Sequence, residues 1–293
     1  MAKIQEKWRE SLVDINEIKF KNIEIEKIIS YPPAGNDVFD CLGKYKSEKK
    51  NFIFKSERGS FANFSNEIKV LPKIDKYMPV PKILESGSHD GHVYIVMEKM
   101  HGEKLSDIFK ENHNANKEKY LYNYGLALAK IHKLNIACDK AKIRIINDYP
   151  KKKDYKNFDE WEKNIINYLK ENKPQEIIYN TFIHGDFHYG NIFWKNYEIT
   201  AILDWEYSGM GFKEQDIAWA LILRPGQKFM NKRKEIEEFL RGYRSSNTYD
   251  KQKLKWCYIN GLLHFYLMNK KNNNNDYLNK IKELIDDALK ISD

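Results

Sequence analysis

Residues 23–30, IEIEKIIS, alternate apolar and polar positions, the period-two signature of a half-buried strand. The turn-forming stretch YPPAGND follows, then VFDCLGKY and NFIFK, which read as two more strands joined near Ser47–Lys50. Residues 62–74 change period: Phe64, Ile68 and Leu71 share one helical face, and the helix is expected to end at Pro72. PKILESG, the turn SHDG and HVYIVME then predict a further hairpin. Five strands with one inserted helix make a small α+β lobe.

From His101 onward the pattern turns helical. Leu121, Tyr124, Leu128, Ile131 and Leu134 fall on one face of a helix over 119–134. Asn157, with Glu160 three residues later, resembles a capping box ahead of Trp161, Ile165 and Leu169. Strand-like runs at 191–194 and 199–203 interrupt the helices, which resume near 214–222, 231–243, 252–269 and 277–290. The short tract Asn272–Asn275 reads as an exposed turn between helices. The expected fold is therefore α+β and two-lobed. A small antiparallel-sheet lobe spans 1–98, and a larger, mainly helical lobe spans 99–293.

Composition narrows the class. Charged residues make up 31% of the chain but are mixed in sign, and 42% are hydrophobic, which fits a folded globular protein. The opening residues MAKIQEKWRESL hold no apolar core of a secretory signal. No run approaches the roughly 18 consecutive apolar residues of a membrane span. Cys41, Cys138 and Cys257 lie too far apart in sequence for a zinc knuckle or disulfide framework and suit a reducing cytoplasm. A cytoplasmic location with no membrane partner is expected.

The net charge of +8 raises a nucleic-acid partner, but the distribution argues against one. The densest basic run, Lys151, Lys152, Lys153 and Lys156, includes Asp154 and carries only Tyr155 for stacking, as a solvated loop would. Between His184 and Asp216 the sign reverses, with six acids against two bases. Metal ions and a cationic substrate are the natural counterweights.

That acidic segment carries the chemistry. His184-Gly185-Asp186 is followed five residues on by Asn191, and Asp204 comes after a short hairpin. Phosphoryl transfer needs a carboxylate to orient the attacking hydroxyl and accept its proton, plus oxygen ligands for magnesium on the nucleotide phosphates. Asp186, Asn191 and Asp204 match those roles in chain order. Three zinc ligands, His184, Asp186 and His188, are the competing reading, which leaves Asn191 and Asp204 unexplained.

The stretch 183–206 resembles the aminoglycoside phosphotransferase and choline kinase family, whose signature is H-G-D-x-x-x-x-N followed by aspartate in an I-D-W or I-D-F context. Here these are His184, Gly185, Asp186, Asn191 and Leu203-Asp204-Trp205, and GFKEQDIAWAL resembles the family's next helix start. The resemblance covers roughly residues 23–225 and implies a protein-kinase-like fold.

It also implies site residues. Asp186 is the catalytic base, and Asn191 and Asp204 are the Mg²⁺ ligands. Lys55, ending the strand FIF, is the phosphate-binding lysine, with Glu67 as its partner on the following helix. The Ala34–Asp37 turn, with Gly35 and Asn36, covers the phosphates of ATP or GTP. Glu98 and Met100, in VMEKM, lie at the purine-binding hinge. The GND turn, FIFK and a later NE resemble the 2″-phosphotransferases in particular.

His184 and Asp216 are expected to hold the catalytic loop, while His188 and Glu206 have no single assigned role. Glu206 and Glu214 lie outside the proposed metal set and would attract an amine-bearing acceptor. The implied function is O-phosphorylation of a small cationic molecule, an aminoglycoside and hence antibiotic resistance in first place. The alternative is a metabolic kinase of choline, homoserine or methylthio-sugar type. A monomer or weak dimer is expected. No D-F-G or A-P-E pattern supports a protein kinase. A dead nucleotide-binding module would have lost one of Asp186, Asn191 and Asp204.

Overall fold

In the computed structural model, residues 9–112, 115–142, 158–272 and 274–290 are described. Two compact units emerge: Met1–Gly102 with Thr200–Tyr207, and Glu103–Ile199 with Ser208–Asp293. The first is discontinuous, because the chain returns to it for the eight residues around Asp204.

The first unit is built on a five-stranded antiparallel sheet: β1 (Ile23–Ser30), β2 (Asp37–Tyr45), β3 (Glu48–Ser56), β4 (Ile83–His89) and β5 (His92–Glu98), in the order β1-β2-β3-β5-β4. Side chains alternate across the sheet, so Phe52 and Phe54 of β3 share a face while Lys55 takes the other. The first face joins Val13, Ile15, Phe39, Cys41, Tyr94 and Val96 in a buried cluster. Asp90 and Gly91 turn the β4–β5 hairpin with φ of 49° and 78°, the paired left-handed geometry a two-residue Asp-Gly loop supplies.

Helix α1 (Phe64–Ile74) lies between β3 and β4 in sequence and buries Phe64, Glu67, Val70, Leu71 and Ile74. It runs through Pro72, where a stop was expected. A proline in the last turn forgoes a single backbone bond, and the Asp75 N–H still reaches the Leu71 carbonyl at 3.1 Å.

The second unit holds α2 (Leu105–Glu111), α3 (Lys117–Ile131), α4 (Glu160–Glu171), α5 (Lys213–Leu221), α6 (Arg233–Arg244), α7 (Lys251–Asn269) and α8 (Asn275–Lys290). Three-residue strands β6 (Thr181–Ile183) and β9 (Gly209–Gly211) pair antiparallel. The ribbon of β7 (Ile192–Lys195) and β8 (Glu198–Ile202) carries the chain toward its return to the first unit.

The capping box of α4 is Asp159 with Glu162, both reciprocal bonds being present. Asn157, expected as the cap, and the Lys151–Lys156 run lie outside the described residues. In the core Tyr124 stacks on Phe187 at 5.1 Å and meets Phe239 edge-on at 4.8 Å. No described helix is long and apolar enough to cross a membrane.

Candidate active site

The residues expected to carry chemistry fall into two groups, one in each unit. In the first unit, Lys55 leaves β3 on the face opposite Phe54. Its Nζ lies 3.0 Å from Glu67 Oε2 and 2.8 Å from Asp204 Oδ1. Burial alone would depress the Lys55 ammonium. The Asp204, Glu67 and Glu206 carboxylates more than offset that and hold it above its usual range. Glu67 is fully buried and also accepts the Trp205 N–H at 3.2 Å through Oε1, so one glutamate fixes both the lysine and the segment carrying Asp204. Asp204 has φ 67°, a left-handed conformation that strains a residue with a side chain.

Glu206 is 1% exposed. Its Oε2 accepts the Asn63 N–H at 3.0 Å, and its Oε1 accepts from Asn36 Nδ2 at 3.3 Å. Burial, then repulsion from Asp204, push its carboxyl up to about 7. Asn36 is thereby tied to the segment of Asp204, and its Oδ1 also accepts the Arg58 N–H at 3.3 Å. Arg9 completes this corner, its Nη2 donating to the carbonyls of Ala34, Gly35 and Asn36 at 3.0, 2.8 and 2.9 Å. Nothing lies within 4 Å of where a Gly35 side chain would project, so the turn presents bare backbone there.

At the end of β5 the Glu98 N–H bonds the Lys82 carbonyl at 2.9 Å, and its carboxylate holds Lys50 at 2.5 Å. Met100 follows in half-buried irregular chain.

In the second unit, Asp216 organises the loop. Its carboxylate accepts the His184 and Gly185 N–H groups at 3.0 Å each, and Gly185 takes φ 81°. The same carboxylate lies 3.1 Å from His132 Nε2. Since a carboxylate only accepts, Nε2 carries a proton, and Nδ1 hydrogen-bonds the Tyr243 hydroxyl 2.8 Å away. His184 Nδ1 accepts the Asp186 N–H at 3.2 Å, so its role is to shape the loop.

Asp186 is 1% exposed. Trp219 Nε1 donates to its Oδ1 at 2.7 Å, and Asn191 Nδ2 reaches its carbonyl at 3.1 Å and its Oδ2 at 3.4 Å. His188 Nε2 stands 3.8 Å from Asp186 Oδ1 while its Nδ1 accepts the Gly190 N–H at 3.0 Å. His184 and His188 each commit Nδ1 to the loop backbone, which weighs against the zinc reading. Arg224 lies with its guanidinium carbon 5.0 Å from the Trp219 ring and 5.8 Å from that of Phe265.

Trp219 and Arg224 escaped the sequence reading. Trp219 sits 33 residues from Asp186 in sequence, so no local pattern links the two. Glu214 and Glu206 correct an expectation, for neither is offered to an acceptor. Glu214 is buried, with its Oε1 accepting the Asp250 N–H at 2.9 Å, and Glu206 is committed to Asn63 and Asn36.

Residues 44–256 match the family model described as the phosphotransferase enzyme family, APH. The chain belongs to that family. It is 25% identical over 197 residues to an aminoglycoside 3′-phosphotransferase of Enterococcus faecalis, covering 61% of this chain and 73% of the relative. Among solved structures, a thermostable mutant of aminoglycoside phosphotransferase APH(4)-Ia, in ternary complex with AMP-PNP and hygromycin B, superposes with a TM-score of 0.61 at 13% identity. That match covers 90% of this chain and 93% of the other. A choline/ethanolamine kinase family protein from Mesorhizobium loti gives a TM-score of 0.55 at 14% identity, covering 96% and 92%. These phosphotransferases share the protein-kinase-like α+β fold expected from the sequence.

Proposed function

We propose that this phosphotransferase moves the γ-phosphate of ATP or GTP to a hydroxyl of a small cationic molecule, an aminoglycoside in first place, in the cytoplasm. The observation that carries the reading is the Asp186 carboxylate. It is buried, Trp219 pins its Oδ1 at 2.7 Å, and Asn191 Nδ2 lies 3.4 Å from its Oδ2. A carboxylate so held is fixed in orientation and can receive the proton of a hydroxyl brought against it.

Lys55, kept charged by Glu67 and Asp204, supplies the cation for the nucleotide phosphates. The turn at Gly35 and Asn36, its carbonyls drawn to Arg9, leaves N–H groups for them. The Glu98–Met100 segment is the proposed purine hinge, with the Glu98 N–H already bonded to Lys82. Asn191 and Asp204 are hard oxygen donors that fit Mg²⁺. When bound, the ion would neutralise charge on the phosphates.

The acceptor hydroxyl then gives its proton to the Asp186 carboxylate as its oxygen bonds the γ-phosphorus. The bond from that phosphorus to the bridging oxygen breaks, and the nucleoside diphosphate leaves.

The aminoglycoside acceptor is supported by the Enterococcus faecalis relative. The metabolic-kinase alternative gains from the burial of Glu206 and Glu214, which removes two charges that would have drawn a polyamine. Turnover of ATP and of GTP against aminoglycosides, choline and sugar alcohols, with the product followed by ³¹P NMR, decides between them. A phosphomonoester on an aminoglycoside is expected. Efficient turnover of a neutral or zwitterionic alcohol, with none on any aminoglycoside, would overturn the acceptor and leave the chemistry standing.

A further inference from the structure

A cavity of about 460 Å³ opens in the second unit among α6, α7 and α8. That is within the roughly 300–1,000 Å³ range of small-molecule sites. Its walls are apolar: Leu221 of α5, Ile236 and Leu240 of α6, Leu254 of α7 and Leu284 of α8. Leu221 is two residues beyond Trp219, and two residues turn a helix by about 200°. The cavity therefore lies on the side of α5 away from Asp186, and nothing in the phosphotransfer reading uses it.

The mouth has an uneven charge. Both of its acids are already paired, Glu237 with Arg244 and Asp287 with Lys290. Arg233 and Lys251, exposed at the same mouth, have no ion-pair partner among the described residues. An apolar hollow rimmed by two unpaired cations lacks one thing, an anion attached to an apolar body. Ile236 and Leu240 of α6 remain only half-buried on the cavity side, so an apolar chain would cover surface left open there.

We propose that this cavity binds one monomeric anionic amphiphile, its chain against Ile236, Leu240 and Leu254 and its carboxylate at Arg233 and Lys251. The site stands apart from the phosphotransfer assignment and does not depend on it.

The test is isothermal titration of the full chain with sodium decanoate below its micelle-forming range, and with decyltrimethylammonium as the cation of equal tail. Saturable 1:1 decanoate binding is expected. It should weaken by about tenfold or more in the double variant Arg233→Glu, Lys251→Glu, since two exposed attractions become repulsions. Leu240→Trp, which fills the hollow without touching the charges, should abolish it. Circular dichroism confirms that each variant is folded. Absence of saturable binding, indifference to both variants, equal affinity for the cationic amphiphile, or association only with anionic phospholipid vesicles would each overturn the proposal.

Discussion

At the residue scale the sharpest feature is the 2.7 Å bond from the Trp219 indole to Asp186 Oδ1. Hydrogen bonds to charged groups contribute about 1.5–3 kcal/mol, so losing this one should be visible in rate. Trp219→Phe keeps an aromatic ring beside Arg224 and removes the donor. We expect kcat to fall on the order of tenfold or more with little change in nucleotide KM. Replacing Trp219 with benzothienylalanine, which preserves the shape and lacks the N–H, should reproduce the loss. Full activity in that isostere would show that the indole serves packing alone.

Glu206 gives a second residue-scale prediction. Its folded carboxyl sits at about 7, above the usual 4.5, because burial and then Asp204 disfavour its charge. The native state therefore holds a proton that the unfolded chain releases between those values. Stability from this group is present at low pH and lost as pH rises through that window. Glu206→Gln is neutral at every pH. Its melting temperature should match the parent near pH 5 and exceed it by a few degrees near pH 8. A gap that stays constant with pH would contradict the assignment.

At the element scale, α3 and α6 cross at unusually close range because each presents a glycine. A Cβ on Gly125 would stand 1.9 Å from the Phe239 carbonyl oxygen, and one on Gly242 would stand 1.9 Å from that of Tyr122. Neither backbone can yield without parting the helices. Tyr243, next to Gly242, bonds His132 and through it Asp216, so the crossing also sets the Asp186 loop. Gly242→Ala should cost about 3 kcal/mol, read from denaturant unfolding. A cost near zero would mean the helices slide apart freely.

The same scale explains what the sequence made legible. Period-two runs such as IEIEKIIS and the Asp90-Gly91 turn declare β1 and the β4–β5 hairpin because their causes are local. His184 to Asn191 is likewise one short loop whose residue types state their chemistry. Strands β6 and β9, three residues each, are too short to show a period, and they pair across 28 residues in register. Pro72 lies in the last turn of α1, so the helix forgoes one backbone bond there and still runs to Ile74. The partners of Glu206, Glu214 and Trp219 lie tens to more than a hundred residues away, beyond the reach of any local pattern.

At the scale of the whole molecule, the proposed reaction draws on residues of both units. Lys55, Glu67 and Asp204 form a charge group in the first, and Asp186 with Asn191 and Trp219 forms a hydrogen-bonded group around a buried carboxylate in the second. If both serve one phosphoryl transfer, damage to each should have a different signature. Lys55→Met should weaken nucleotide binding itself, since the phosphates lose their cation. Asp186→Asn should leave nucleotide affinity within a few-fold of the parent and cut kcat by about 10²–10⁴, the usual contribution of a positioned base. The most direct measurement is therefore the nucleotide Kd by calorimetry beside kcat for Asp186→Asn. Near-parental binding with turnover almost gone is the predicted result. Turnover retained at more than a small fraction of the parent would contradict Asp186 as the base.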